Sequence, residues 1–320
     1  MALIELHDVH KTYASSSGEV HALSGINLSV EEGTVRGLLG PNGAGKTTTV
    51  KVLTTLVRPT SGTATVAGLD VVRDASAVRR IIGASGQYAT IDEELSAREN
   101  LLLIGRLFHL GDKKAKTRAN ELLELFDLTD AADRPVKGFS GGMRRRADLA
   151  ASLVSDPHIL FLDEPTTGLD PVARINLWEV IRERVAAGTT LLLTTQYLEE
   201  ADQLADEISV IDHGTVIAEG TADELKSQVG GQSIRVTLQD AADATSTAEL
   251  LSHLSARQGD RAQVDGRTVS VTVTDGPAEL EKALGLLRQH GTAIHDVGLA
   301  RPSLDDVFLA LTGAETGAES

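Results

Sequence analysis

The sequence predicts an α/β chain in two parts. The first is a core built on a parallel sheet, with an antiparallel β region and a helical insertion. The second is a small α+β domain of ferredoxin-like order. Three observations carry this. Short apolar runs alternate with helical segments up to about residue 230, as at Thr34–Leu39, Ile159–Asp163 and Thr189–Thr195, the pattern of a parallel sheet covered on both faces. A glycine-rich turn, Gly40-Pro41-Asn42-Gly43-Ala44-Gly45-Lys46-Thr47, stands between the first of these strands and a helix. Beyond Gly230-Gly231 the order becomes strand, helix, strand, strand, helix, strand.

Taken in order, residues 1–70 alternate apolar and polar in short runs, as in Leu3-Ile4-Glu5-Leu6 and Thr63-Ala64-Thr65-Val66, and read as partly antiparallel β structure. The helix after the glycine-rich turn runs from Gly45 to about Leu56, and Arg58-Pro59-Thr60-Ser61-Gly62 is turn chemistry. A strand at Ile81–Gly86 ends at Gln87, and a helical subdomain spans about 88–155, with apolar faces such as Leu101-Leu102-Leu103-Ile104. Asp170-Pro171 reads as an N-cap followed by proline at the first helical position. Asp212-His213-Gly214-Thr215 is a hairpin turn, and Thr221-Ala222-Asp223-Glu224 has capping-box spacing. The expected domains are 1–230 and 231–320. In the second, strands fall at Ser233–Leu238, Arg261–Val264, Thr268–Val273 and Ala293–Val297, helices at Thr247–Ala256 and Pro277–Gln289, and a last helix at Leu304–Leu311.

Composition excludes several function classes. The chain has 320 residues and a formal net charge of -16, which argues against binding nucleic acid through its phosphates and against adhesion to anionic lipid. No uninterrupted apolar stretch approaches the roughly 18–20 residues of a bilayer span, so no direct membrane insertion is expected. The start, Met1-Ala2-Leu3-Ile4-Glu5, lacks a leader pattern, and the absence of cysteine excludes disulfides and zinc–thiolate sites. The expected place is the cytoplasm, with any membrane attachment made through a protein partner. The histidines show no metal-ligand spacing.

The glycine-rich turn has the pattern Gly, four residues, Gly-Lys-Thr. Its glycines let successive N–H groups converge on phosphate oxygens, and the helix that follows adds the positive end of its dipole. Lys46 is placed to reach the β- and γ-phosphates of a nucleotide, and Thr47 to offer its hydroxyl to Mg²⁺; residues 40–47 and Thr48 form the expected nucleotide site. Asp163 falls at the carboxyl end of a buried strand, where ligands bind on an open parallel sheet, and is the expected Mg²⁺ ligand through water. Glu164 is then placed to orient or deprotonate the attacking water. Ser140 in Phe139-Ser140-Gly141-Gly142-Met143 is a good N-cap for a helix that continues through Arg144-Arg145-Arg146. That arginine run reads as a solvated helix face, with direct phosphate contact as the alternative.

The phosphate loop, the Ser140-Gly141-Gly142 segment and the run Ile159-Leu160-Phe161-Leu162-Asp163-Glu164, in this order, resemble the nucleotide-binding subunit of an ATP-binding-cassette (ABC) transporter, over about residues 3–225. The resemblance implies a P-loop ABC ATPase core using ATP and Mg²⁺. It implies a head-to-tail dimer of two copies in which Ser140, Gly141 and Gly142 bind the γ-phosphate of ATP held by the opposite copy. It also implies that Tyr13 stacks on adenine, that Gln87 contacts Mg²⁺ and the attacking water and hinges the helical insertion, and that Gly168-Leu169-Asp170 lies at the dimer interface. Thr194-Thr195-Gln196-Tyr197-Leu198-Glu199-Glu200-Ala201-Asp202, Gly141-Gly142-Met143-Arg144-Arg145-Arg146 and Pro302-Ser303-Leu304-Asp305-Asp306-Val307-Phe308 are similar to the daunorubicin-resistance (DrrA-like) branch of exporters. That branch implies a polytopic membrane permease as a separate subunit and export of a bulky hydrophobic drug or antibiotic. Export of lipid or another non-drug cargo is the alternative, and no residue reads the cargo. A soluble cassette acting on DNA or ribosomes lacks support: the chain has neither a long coiled-coil insertion nor a basic surface. An ATP-holding module without turnover is disfavoured by Glu164. The role of the C-terminal domain stays open among dimer interface, regulatory contact and stabilising lid.

One departure from the family pattern concerns catalysis. Most members carry histidine where this chain has Gln196, and an amide can donate to a γ-phosphate but cannot take up a proton near neutral pH. Slower or less pH-dependent hydrolysis is expected. Gln196→His should raise the ATPase rate and steepen its pH profile; a rate and profile matching the parent would count against a catalytic role for this position.

Overall fold

The computed structural model describes residues 2–15, 18–86, 91–229, 232–255, 261–300 and 303–312. The chain divides into two compact units, Met1–Ala222 and Asp223–Ser320. In the first, β1 (Ala2–Ser15) and β2 (Gly18–Glu31) form a long antiparallel pair, and β3 (Val35–Leu39) runs into α1 (Lys46–Leu53). β4 (Ser61–Val66) and β5 (Leu69–Asp70) complete an antiparallel sheet in the order β2-β1-β4-β5. α2 (Ala75–Ile81), a helix the sequence pattern did not signal, leads into β6 (Ile82–Ser85). The helical insertion contains α3 (Ala97–Leu107), α4 (Asp112–Leu125) and α5 (Gly141–Ser152). There follow β7 (Ile159–Asp163), α6 (Pro171–Ala186), β8 (Thr190–Thr195), α7 (Leu198–Leu204), β9 (Glu207–Asp212) and β10 (Thr215–Gly220), and α8 (Ala222–Val229) opens the second unit. The second sheet has the order β10-β9-β3-β8-β7-β6; β9, β3, β8, β7 and β6 are parallel and β10 is antiparallel.

Three of the parallel strands, β3, β7 and β8, are buried along their whole length because each face meets a different core. Leu38, Ile159, Phe161 and Leu192 pack in one cluster with α1 residues Val50, Val52 and Leu53 and with Ile4, Leu6 and Ile26 of the antiparallel sheet. Their neighbours Val35, Leu160, Leu162, Leu191 and Leu193 pack on the opposite face with Leu101, Leu122, Leu149, Leu177 and Trp178 from the helices. Successive strand residues point to opposite faces, so the same short run feeds both cores. Each fully buried leucine contributes about 1.5–3 kcal/mol relative to exposure. Arg36 of β3 is buried in this setting but satisfied: Nη2 donates to the Ser29 carbonyl at 2.7 Å and lies 2.5 Å from Glu207 Oε2.

Local chemistry sets the helix ends that matter for the site. α1 stops at Leu53, short of the expected Leu56, because Thr54 Oγ1 donates to the Val50 carbonyl and Thr55 adopts a left-handed φ of 64°. Ser96 and Glu99 cap α3 reciprocally, and Asp170 accepts from Ala173 N–H at 3.0 Å ahead of Pro171; such caps contribute about 1 kcal/mol each. The β9–β10 turn has positive φ at His213 and Gly214, the primed geometry that matches strand twist. It also braces the phosphate loop: Gly214 N–H donates to the Ala44 carbonyl at 2.9 Å, and the Gly214 carbonyl accepts from Ser24 N–H at 2.8 Å.

The second unit continues from α8 with β11 (Ser233–Leu238), α9 (Ala244–Ser252), β12 (Gln263–Asp265), β13 (Thr268–Thr272), α10 (Gly276–Gln289), β14 (Ile294–Ala300) and α11 (Leu304–Thr312). The sheet order β12-β13-β11-β14, antiparallel throughout, is the ferredoxin-like arrangement the sequence predicts. Ile234, Val236, Leu251, Val269, Val271, Ala283 and Leu287 form its own core. α9 begins at Ala244, earlier than the expected Thr247, because the Asp240 carboxylate accepts from Ala242 N–H and starts the turn that runs into the helix. No helix among the described residues is long and apolar enough to cross a membrane.

Candidate functional site

Parallel strands bring their carboxyl ends to one edge, and the expected site residues follow those ends. Leu39 of β3 registers with Thr195 of β8, Asp163 of β7 with Thr194 of β8, and Leu162 of β7 with Ser85 of β6. The loops leaving this edge begin with Gly40, Glu164, Gly86 and Gln196. Gln87 lies outside the described residues.

The phosphate loop is shaped by contacts that no side chain could share. A Cβ on Gly40 would lie 2.2 Å from the Ile211 carbonyl oxygen, and Gly45, at φ 113°, would place one 2.7 Å from the Ala22 carbonyl. Gly45 is also the N-cap of α1, so the free N–H groups of that helix face the loop. Pro41, Asn42 and Gly43 are exposed, while Ala44 is buried. Lys46 is 4% exposed and donates to the carbonyls of Gly40 at 2.7 Å and Pro41 at 3.1 Å. Burial pulls its ammonium pKa down, and the carboxylates of Glu164 and Asp163 push it back up. Thr47 and Thr48 on the first turn of α1 are half-buried.

Asp163 joins three segments. Its Oδ1 accepts from Thr47 Oγ1 at 3.2 Å and, in a short hydrogen bond, from Thr194 Oγ1. Glu164 follows with φ 49°, a left-handed conformation that costs a non-glycine residue energy and clusters at functional sites. Its N–H donates to the Thr194 carbonyl at 3.0 Å, and its Oε2 accepts from Thr167 Oγ1 at 3.4 Å. Gln196 is exposed just past β8. Lys46, Thr47, Asp163 and Glu164 are therefore brought together, with Thr194 as a supporting residue the sequence did not signal; a threonine inside an apolar strand reads as β-branched filling.

Other expected residues lie apart from this cluster. Ser140 caps α5, accepting from Met143 N–H at 3.2 Å; Ser140 and Gly141 are exposed and Gly142 is half-buried. Among the described residues no hydrogen bond joins these three to the phosphate loop. Tyr13 registers with Val20 near the end of the β1–β2 pair, and the Lys11 ammonium sits 4.9 Å from its ring centroid.

The arginine run departs from the expected solvated face. Arg144 pairs with Glu93 at 2.8 Å, and Arg146 donates to the Phe126 carbonyl and to Asp127. Arg145 turns inward onto backbone carbonyls around Glu164. Residues 142–146 of α5 are half-buried, so only part of the helix surface there is open to water; three consecutive charges in a sequence do not reveal which one faces inward. Glu200 of α7 was also not singled out. It is fully buried, accepting from Trp178 Nε1 at 3.4 Å, while among the described residues its Oε2 has no hydrogen-bond partner.

Residues 23–167 match the ABC transporter family model, and residues 220–312 match the C-terminal domain of DrrA1-3-like ATP-binding proteins. A solved ATP-binding subunit of an ABC transporter superposes with TM-score 0.65 at 29% identity, covering 71% of this chain and 92% of that one. A solved ATP-binding-cassette dimer bound to ADP and Pi superposes with TM-score 0.64 at 26% identity, covering 68% and 98%. The fold and the site thus define an ATP-binding-cassette ATPase. The daunorubicin resistance ATP-binding protein DrrA2 of Streptomyces coeruleorubidus is 55% identical over 93% of this chain and 92% of its own length. The daunorubicin/doxorubicin resistance protein DrrA of Streptomyces peucetius is 51% identical over 91% and 88%, and the doxorubicin resistance protein DrrA of Mycobacterium tuberculosis is 45% identical over 98% and 94%. The chain belongs to this DrrA-like family of ABC transporter ATP-binding proteins.

Burial raises the Glu200 carboxyl pKa, against the opposing pull of Thr195, Trp178, Thr166 and Arg174. The folded chain therefore retains a proton that the unfolded chain releases, and the stability from this group falls as pH rises from the ordinary carboxylate range toward the folded-state pKa. Glu200→Gln removes that loss. Thermal unfolding should show the variant's Tm, relative to the parent, more favourable at about pH 8 than at about pH 5; an equal difference at both would mean the carboxyl ionises alike in the folded and unfolded chains.

Proposed function

We propose that this chain is the ATP-binding and hydrolysing subunit of a multicomponent exporter that moves hydrophobic drugs or antibiotics through a separate polytopic membrane permease. The observation that carries the drug-export reading is the 45–55% identity, over nearly the whole chain, to drug-resistance ATP-binding proteins. Nod factor export relatives stand lower, at 39–40%, so drug export is favoured over export of lipid or another non-drug cargo. The chain acts at the cytoplasmic face of the membrane as a peripheral subunit, with residues 1–230 as the nucleotide-binding domain and 231–320 as an accessory domain.

The residues support a division of labour. Backbone N–H groups of residues 40–48 cradle the phosphates, Lys46 reaches the β- and γ-phosphates, and Tyr13 stacks on adenine. The hydroxyl of Thr47 and the carboxylate of Asp163, 3.2 Å apart, are hard oxygen donors suited to Mg²⁺. Among the described residues no group of three ligating side chains stands by to cage a metal on its own, and Mg²⁺ bound with a nucleotide needs only one or two such groups beside phosphate and water. Gln87 completes that set. When bound, the ion neutralises charge developing on the phosphates. Glu164 orients the attacking water and takes its proton, and Gln196 donates a hydrogen bond toward the γ-phosphate. Ser140, Gly141 and Gly142, the first two exposed and the third half-buried at the start of α5, serve the nucleotide of a second copy in a head-to-tail dimer. ATP closes that dimer, hydrolysis reopens it, and the helical insertion passes the motion to the permease.

Two measurements test this. Glu164→Gln should lose turnover and accumulate as a dimer in ATP by size-exclusion chromatography; a variant that stays monomeric in ATP and hydrolyses normally overturns the assignment of the base. Affinity capture of the full chain from detergent-solubilised native membranes should recover a stoichiometric polytopic membrane protein. Recovery from cytosol alone would sink the exporter reading and leave the ATPase chemistry standing.

A further inference from the structure

Arg145 has no place in the roles assigned above, yet it makes the densest set of side-chain hydrogen bonds near the site. It lies on α5, the helix that opens with Ser140, Gly141 and Gly142, and its side chain is 13% exposed. Nε donates to the Pro165 carbonyl at 2.9 Å. Nη1 donates to the Gly86 carbonyl at 2.8 Å and to Asp148 Oδ2 at 3.4 Å. Nη2 donates to the carbonyls of Asp163 and Glu164, both at 2.9 Å. A guanidinium offers five N–H donors in a fixed plane, and all five are used.

Three consecutive carbonyls, of residues 163–165, point at one side chain. In a continuing strand they would alternate in direction, so the chain must leave the strand geometry here, and the φ of 49° at Glu164 is that departure. A left-handed non-glycine residue persists only where its surroundings over-determine it. Thr194 holds the Glu164 peptide from the N–H side, and Arg145 holds it from the carbonyl side. The same guanidinium reaches the end of β6, through the Gly86 carbonyl and through Asp148, whose Oδ2 accepts from Ser85 Oγ at 2.6 Å. Gly86 directly precedes Gln87.

We propose that Arg145 is a positioning residue for ATP hydrolysis: it fixes the backbone of residues 163–165 so that Glu164 presents its carboxylate in one orientation, and it ties that backbone to α5 and to the end of β6. The inference rests on the reading of Glu164 as the water-orienting base. Lysine is a poor substitute, since an ammonium has three donors and no planar fork.

The test is steady-state ATPase kinetics on full-length Arg145→Lys and Asp148→Asn, each also made in the Glu164→Gln background. Arg145→Lys should lower kcat by about tenfold to a hundredfold, the scale of misplacing a catalytic group by about an ångström. Its KM for ATP should stay within about threefold, because the phosphate loop is untouched. Asp148→Asn should shift kcat in the same direction and less. In the Glu164→Gln background the further loss should be under about threefold, since a residue acting through Glu164 has little left to remove. If Arg145→Lys turns over within about twofold of the parent while Glu164→Gln keeps only a small residual turnover, the inference falls and the base reading stands. Equal fold-losses in both backgrounds, or a KM rise that accounts for the whole effect, overturn it as well. If Glu164→Gln itself turns over normally, the base reading falls and the inference with it. Should Arg145→Lys fail to fold, Asp148→Asn decides alone, and an unchanged kcat there overturns the inference.

Discussion

The Asp163 carboxylate is the point on which the cassette's geometry depends. Its Oδ1 accepts hydroxyl hydrogen bonds from Thr47 on α1 and from Thr194 on β8. It therefore couples the helix after the phosphate loop, the strand β7 that carries it and the neighbouring strand β8. This coupling exists because the strands are parallel: their carboxyl ends share an edge, and a short polar side chain at the end of one can reach the next. An antiparallel arrangement would carry Thr194 to the far edge. The two hydrophobic clusters that clothe the sheet serve this geometry by holding β3, β7 and β8 in register.

Around that point, burial and charge are balanced residue by residue. Lys46 is buried and keeps company with backbone carbonyls and two carboxylates. Arg145 is largely buried and saturated with acceptors. Burying a charge is costly unless it is paired and hydrogen-bonded; backbone carbonyls take two of the three Lys46 donors and four of the five Arg145 donors, with Asp148 taking the fifth. Backbone acceptors depend on chain path alone, so the loops around the site and the charges they hold specify one another. Glu200 is the contrasting case, a carboxyl whose burial raises its pKa.

The second unit has a closed hydrophobic core of its own and a sheet with β12 and β14 at its edges. Its match to the C-terminal domain of DrrA1-3-like proteins marks the chain as a member of that branch and not merely as a cassette.

By itself the sequence determined the fold class, the strand and helix order apart from α2, the phosphate loop and the acidic pair after β7. Each is local: glycines that permit close backbone approach, two-faced apolar strands, caps such as Ser140 and Asp170. Element boundaries drifted where local cues were weak, as at the end of α1, where Thr55 takes a left-handed turn, and at α9, where an aspartate-capped turn starts the helix early. Only the tertiary structure decided which arginine of Arg144-Arg145-Arg146 turns inward, that Thr194 supports Asp163, and that Glu200 is buried. These depend on which distant segment each side chain meets, Arg145 with residues 163–165 and Thr194 with Asp163. The side-chain chemistry is the same whether such residues face water or a partner, so only the folded path of the chain distinguishes them.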